Sequence, residues 1–161
     1  MRRLAVLAAL ALPLAACQSS GRSVSQYPQQ AALTVPAGAQ SVRVAASPDA
    51  VRQTLVSGAS ERGTPIIQND ANMVVLERLV TGENPALDSE FGPSDNGQRK
   101  FRIRVRFQGT PCDTLVVQEV FVVNNAGTAL EQVFSVTQPQ YNNPESLIGL
   151  KNKAEVLSGC A

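Results

Sequence analysis

Four cations alternate with four apolar residues over positions 100–107: Lys100, Arg102, Arg104 and Arg106 against Phe101, Ile103, Val105 and Phe107. A strand's two-residue period puts the cations on one face, roughly 6.6–7 Å apart, and the apolar set on the other. Such a row could meet phosphates or carboxylates of an anionic envelope component, whether lipopolysaccharide, phospholipid or peptidoglycan, or an acidic protein patch. The plainer reading is a solvated outer face whose charges are met across the strands by Glu119 or Glu131.

Little else in the chain suits catalysis. There is no His, which removes the usual general base near neutral pH and the commonest metal ligand. Any Ser or Thr nucleophile would need Lys100, Lys151 or Lys153 as its base, and no local signature brings one close. Cys112 and Cys160 lack the Cys-x-x-Cys spacing of a redox-active pair. Asp88, Glu90, Asp95 and Asn96 place oxygen ligands within nine residues, but without EF-hand spacing they read as a mobile acidic loop. Gly-rich phosphate loops and internal repeats are missing as well. The expectation is a non-catalytic protein with no cofactor and no metal.

The amino end has three zones. Met1-Arg2-Arg3 is positive, Leu4 to Leu12 is apolar, and Leu14-Ala15-Ala16 stands directly before Cys17. The apolar run falls short of the ~20 residues that a spanning helix needs, which fits a cleaved leader. Leu14-Ala15-Ala16-Cys17 resembles the lipobox of bacterial lipoproteins. That resemblance implies cleavage before Cys17, a diacylglycerol thioether on its sulfur and an acyl group such as palmitate on its amine. Several acyl chains on one residue anchor far more firmly than one. Gln18, where an Asp would favour the inner membrane, implies the outer membrane with the domain facing the periplasm. The alternative is an ordinary secretory signal with an incidental Cys17.

Export would expose Cys112 and Cys160 to an oxidising compartment, where a disulfide between them would tie the carboxyl end to the sheet. The alternative is two buried free thiols. Of the 14 basic side chains, Arg2 and Arg3 lie in the leader, which leaves 12 against 13 acidic ones. That balance argues against a nucleic-acid partner.

These candidates need elements to hold them. Residues 18–40 are rich in Ser, Gln, Ala, Gly and Pro and read as a flexible tether, with an added edge strand at Ala32–Val35 as the alternative. Val42 and Val44 alternate as a strand, and Ser47-Pro48-Asp49 opens a helix whose apolar stripe is Val51, Leu55 and Ala59. Strands are expected at 66–67, 73–76, 100–108, 114–123 and 129–137, with a surface loop over 81–98. A second helix follows Asn143-Pro144-Glu145, with Leu147, Leu150, Ala154 and Leu157 on one face.

The expected organisation is a signal peptide (1–16), a lipidated amino end and tether (17–40) and one α+β domain (41–161). Its antiparallel sheet has about six strands with two helices on one face, in the order β-α-β-β-β-β-β-α. This order resembles the helix-grip domains of some periplasmic envelope lipoproteins, including a lipoprotein of the outer-membrane barrel-assembly machinery. The functional expectation is a lipid-anchored binding or scaffold module for a protein partner in the cell envelope, docking by a sheet face or edge. The alternative is a carrier of a small apolar ligand or lipid, with a cavity between helix and sheet.

Overall fold

A computed structural model describes residues 31–160. The lipobox-like motif at Leu14–Cys17, the leader and the first part of the tether lie outside the described residues. The elements are β1 (Gln40–Val44), α1 (Pro48–Glu61), β2 (Ile66–Asp70), β3 (Met73–Leu79), α2 (Pro85–Phe91), β4 (Gln98–Thr110), β5 (Asp113–Ala126), β6 (Gln132–Val136) and α3 (Glu145–Ser158). They build an α+β fold on a six-stranded antiparallel sheet ordered β1-β5-β4-β3-β2. β6 pairs with the second half of β5, on the edge whose first half holds β1.

The long β4–β5 hairpin sets which side chain faces which way. Phe101, Ile103 and Phe107 lie opposite Val122, Val120 and Val116, so these six share one face of the sheet. On that face α1 and α3 bury Val51, Ala59, Leu147, Leu150 and Ala154 against Val74, Val105, Phe107 and Val116. Leu87 and Phe91 of α2 cover the other half, over Val120, Val122 and Val136. β5 is apolar on both faces because Val117 and Val123, which point the other way, are also fully buried.

Local chemistry explains the helix ends. The Ala50 N–H donates to Ser47 Oγ at 3.1 Å, Pro48 occupies the first turn, and Gly63 takes a positive φ just past the end of α1. In α3 the buried stripe runs Leu147, Leu150, Ala154 and not on to Leu157, which is 72% exposed. The last turn meets the chain after β1 through Ser158 instead, whose Oγ donates to the Ala45 carbonyl at 2.8 Å. At 3.6 residues per turn the inward stripe drifts, and position 158 has taken the place expected of 157.

The expectation of two helices and a structureless loop over 81–98 is corrected by α2. Asn84 Oδ1 accepts the Leu87 N–H at 3.1 Å, Pro85 opens the helix and Gly92 ends it with a φ of 76°. Behind α2 sits Arg99, only 8% exposed. Its guanidinium donates to Asn124 Oδ1 at 2.7 Å, to Asp88 Oδ1 at 2.6 Å and to the Gly92 carbonyl. Asn124, fully buried, donates in turn to the Phe91 carbonyl at 2.8 Å.

Two further ties close the molecule. Cys112 and Cys160 form a disulfide with Cα atoms 5.6 Å apart, joining the β4–β5 turn to the end of α3. Glu155 of α3 accepts the Ala45 N–H at 2.8 Å and an ion pair from Lys151. The backbone donor first, and Lys151 with it, hold its carboxyl below the usual range. Ahead of β1, residues 31–39 form neither helix nor strand, yet Asn142 Nδ2 donates to the Gly38 carbonyl at 2.9 Å. A Cβ at Gly38 would run into Thr137, so this end of the tether is packed against the domain.

Candidate functional site

Lys100, Arg102, Arg104 and Arg106 of β4 occupy the sheet face opposite the helices, and each one meets a carboxylate. Lys100 Nζ and Arg102 Nε donate to Glu77 of β3 at 2.9 and 2.8 Å. Arg102 also reaches Glu131 at 3.3 Å. Arg104 and Arg106 share Glu119 of β5 at 2.9 and 3.0 Å, and Arg104 lies 5.0 Å over the Phe121 ring. Register makes these pairs, because Arg102 stands directly across from Glu77 and Arg104 across from Glu119. An anionic partner would have to displace carboxylates already in place, so the row is a poor seat for one.

Spacing does not single out Glu77, which lies one residue past the strand expected at 73–76. It is 7% exposed. Burial pushes its carboxyl up, but the hydrogen bonds and charges of Lys100 and Arg102 outweigh that and hold it below the ordinary 4.5. A depressed folded value means that ionised Glu77 stabilises the fold above about pH 4.5, and that this contribution is lost as pH falls through the folded value. Glu77→Gln is therefore expected to cost about 1–2 kcal/mol at neutral pH. Thermal melts of the two proteins should converge as the buffer is taken below pH 4.5, and a gap that stays constant would count against the assignment.

The helix side of the sheet carries a different kind of surface. Between α1 and α3 lies a cleft of about 560 Å³, floored by Leu76, Ile103 and Val105 and rimmed by Arg62, Arg78 and Lys153. A second hollow of about 330 Å³ runs on from it toward Phe101 and Tyr141. The two share Arg78, Ile103, Gln118 and Ser146, so together they form one trench across the sheet. No protein-family model matches this chain, and no curated protein matches it in sequence. Its chemistry must be read from the trench itself.

The trench exists because small residues face it. Gly58 and Thr54 of α1 and Gly149 and Ser146 of α3 line it. A Cβ added at Gly149 would meet no atom within 4 Å, so the helices leave open space there. At its centre Ser146 Oγ donates to Gln118 Oε1 at 3.1 Å, a polar bridge from α3 to the sheet. The guanidinium of the exposed Arg78 lies over the Phe101 ring, 5.8 Å from its centroid. Among the described residues neither Arg62 nor Arg78 makes an ion pair, and Lys153 has only an exposed contact with Glu61 at 3.5 Å. A hollow of similar size, about 570 Å³, borders the start of α1, but there Asp49 and Arg52 pair with each other at 2.8 Å.

The acidic candidates do not converge. Asp88 is held by Arg99, and the Asn96 N–H donates to Asn125 Oδ1 at 2.9 Å. Among the described residues no three His, Cys, Asp or Glu side chains come together as a metal site. Nor, among them, is any helix long and apolar enough to cross a membrane.

Proposed function

We propose that this protein is a non-catalytic, lipid-anchored binding module of the bacterial cell envelope, held at Cys17 on the periplasmic side of the outer membrane. The lipobox-like Leu14-Ala15-Ala16-Cys17 supports the anchor, and the disulfide accords with an oxidising compartment. The observation that carries the binding role is the trench, an apolar floor beneath three cations of which two, Arg62 and Arg78, make no ion pair among the described residues. It favours a carrier or sensor of a small ligand over a pure scaffold, because a volume of about 560 Å³ lies within the range of ligand sites. A protein partner in the envelope has a place in the same reading at β2, which among the described strands pairs with β3 alone and presents Ile67 half-exposed. An added strand would complete that edge.

The anchor is tested in cells that express the full chain, by labelling with a clickable palmitate analogue and separating membranes. The native chain should carry label and sediment with the membranes, whereas Cys17→Ser should be unlabelled and soluble. A native chain without label would overturn the anchor.

A further inference from the structure

We infer that the trench between α1 and α3 binds a single-chain amphiphile with an anionic head. Its tail would lie along Leu76, Ile103 and Phe101, and its head would be met by Arg62, Arg78 and Lys153. This deepens the reading of the domain as a binding module and rests on it, but it does not depend on the lipid at Cys17.

Three features select this ligand class. The first is shape: two adjoining hollows of about 560 and 330 Å³ that share Arg78 and Ile103 suit an extended chain better than a compact ring. The second is polarity, since around the central Gln118 the floor carries Leu76, Ile103, Val105, Phe101 and Val120, apolar side chains that gain by being covered. The third is charge. The four β4 cations on the outer face are matched by Glu77, Glu119 and Glu131, while Arg62 and Arg78 at the trench have no such partner among the described residues. Two carboxylates come near these cations: Glu145 lines the smaller hollow together with Arg78, with no ion pair between them among the described residues, and Glu61 makes an exposed 3.5 Å contact with Lys153. Cations over low-dielectric walls focus potential and draw an anionic head to that end.

The test uses the full chain carrying Cys17→Ser, so that no acyl chain of its own competes. Dodecanoate, dodecanol and dodecyltrimethylammonium, each below its micelle concentration, are titrated into it by calorimetry at low and high salt. Dodecanoate should saturate one site, dodecanol should bind about tenfold more weakly, and the cationic amphiphile should not saturate. From octanoate to dodecanoate each added CH₂ should tighten binding about threefold to fourfold. Gly149→Leu starts from a Cβ that meets no atom within 4 Å, grows toward the cleft and improves helix propensity, so it should keep or raise the melting temperature while abolishing binding. Arg62→Gln with Arg78→Gln, both at exposed cations, should bring dodecanoate down to the dodecanol affinity. The inference is overturned if dodecanoate does not saturate, if all three head groups bind alike, or if a folded Gly149→Leu binds as before. None of these results bears on palmitate labelling, so the site and the anchor stand or fall separately.

Discussion

Replacing Cys112 and Cys160 together by Ser is expected to remove about 4 kcal/mol of unfolding free energy and to lower the melting temperature by roughly 10–20 °C. The bridge spans 48 residues, and on the chain-entropy account the cost of closing so long a loop in the unfolded ensemble sets this magnitude. Everything from β5 to the end of α3 lies inside that loop. The β4–β5 turn that carries Cys112 is close-packed, because a Cβ at Gly109 would collide with the Asp113 carbonyl and the Thr114 backbone. The sulfur is therefore presented at a set place, and the reduced protein should lose chain constraint more than native contacts. Circular dichroism melts of the native chain with and without reductant, beside the double variant, make the measurement. A fall of less than about 3 °C would show that the bridge constrains little.

Arg99→Leu should cost about 2–4 kcal/mol and act on one region. The guanidinium serves Asn124, Asp88 and the Gly92 carbonyl at once, and its loss leaves the fully buried Asn124 Oδ1 without a described donor. An unsatisfied buried acceptor costs more than the bond itself contributed. Arg99→Lys should recover little, since an ammonium cannot span three acceptors in the fork that a guanidinium presents. Removing both members of the central bond, with Arg99→Leu and Asn124→Leu together, should be less damaging than the two single effects summed. Native-state hydrogen exchange should show faster opening at α2 and the segment up to Gly97, with β1 and α3 unchanged. Uniform loss of protection across the sheet would mean that Arg99 supports the whole core rather than the docking of α2.

Much of the scaffold was legible along the chain because its signals are short-range. The alternation at 100–107 placed Phe101, Ile103 and Phe107 on the core face, and Ser47-Pro48-Asp49 marked the start of α1. α2 is less legible, although Asn84-Pro85, the i and i+4 pair Leu87 and Phe91, and Gly92 are a complete start, stripe and stop. Pro, Gly and acids counted in bulk outweighed those positional signals. Arg99 also left a trace, since the β4 alternation puts that charge on the apolar side, where only a buried partner set could keep it.

Residue order by itself determined the α+β class and the antiparallel sheet, because caps, turns and a period of two act within a few positions, while the Cys112–Cys160 pairing, 48 residues apart, was decided by the fold. Only tertiary structure decided which carboxylate meets which cation, and that α1 and α3, though packed on each other, leave a cleft over the sheet. Arg62, Arg78 and Lys153 come from three different elements or their ends, and no spacing relates them. Their convergence depends on how two helices are set over a common floor, and the open space beside Gly149 is a product of that whole-layer packing rather than of any local spacing.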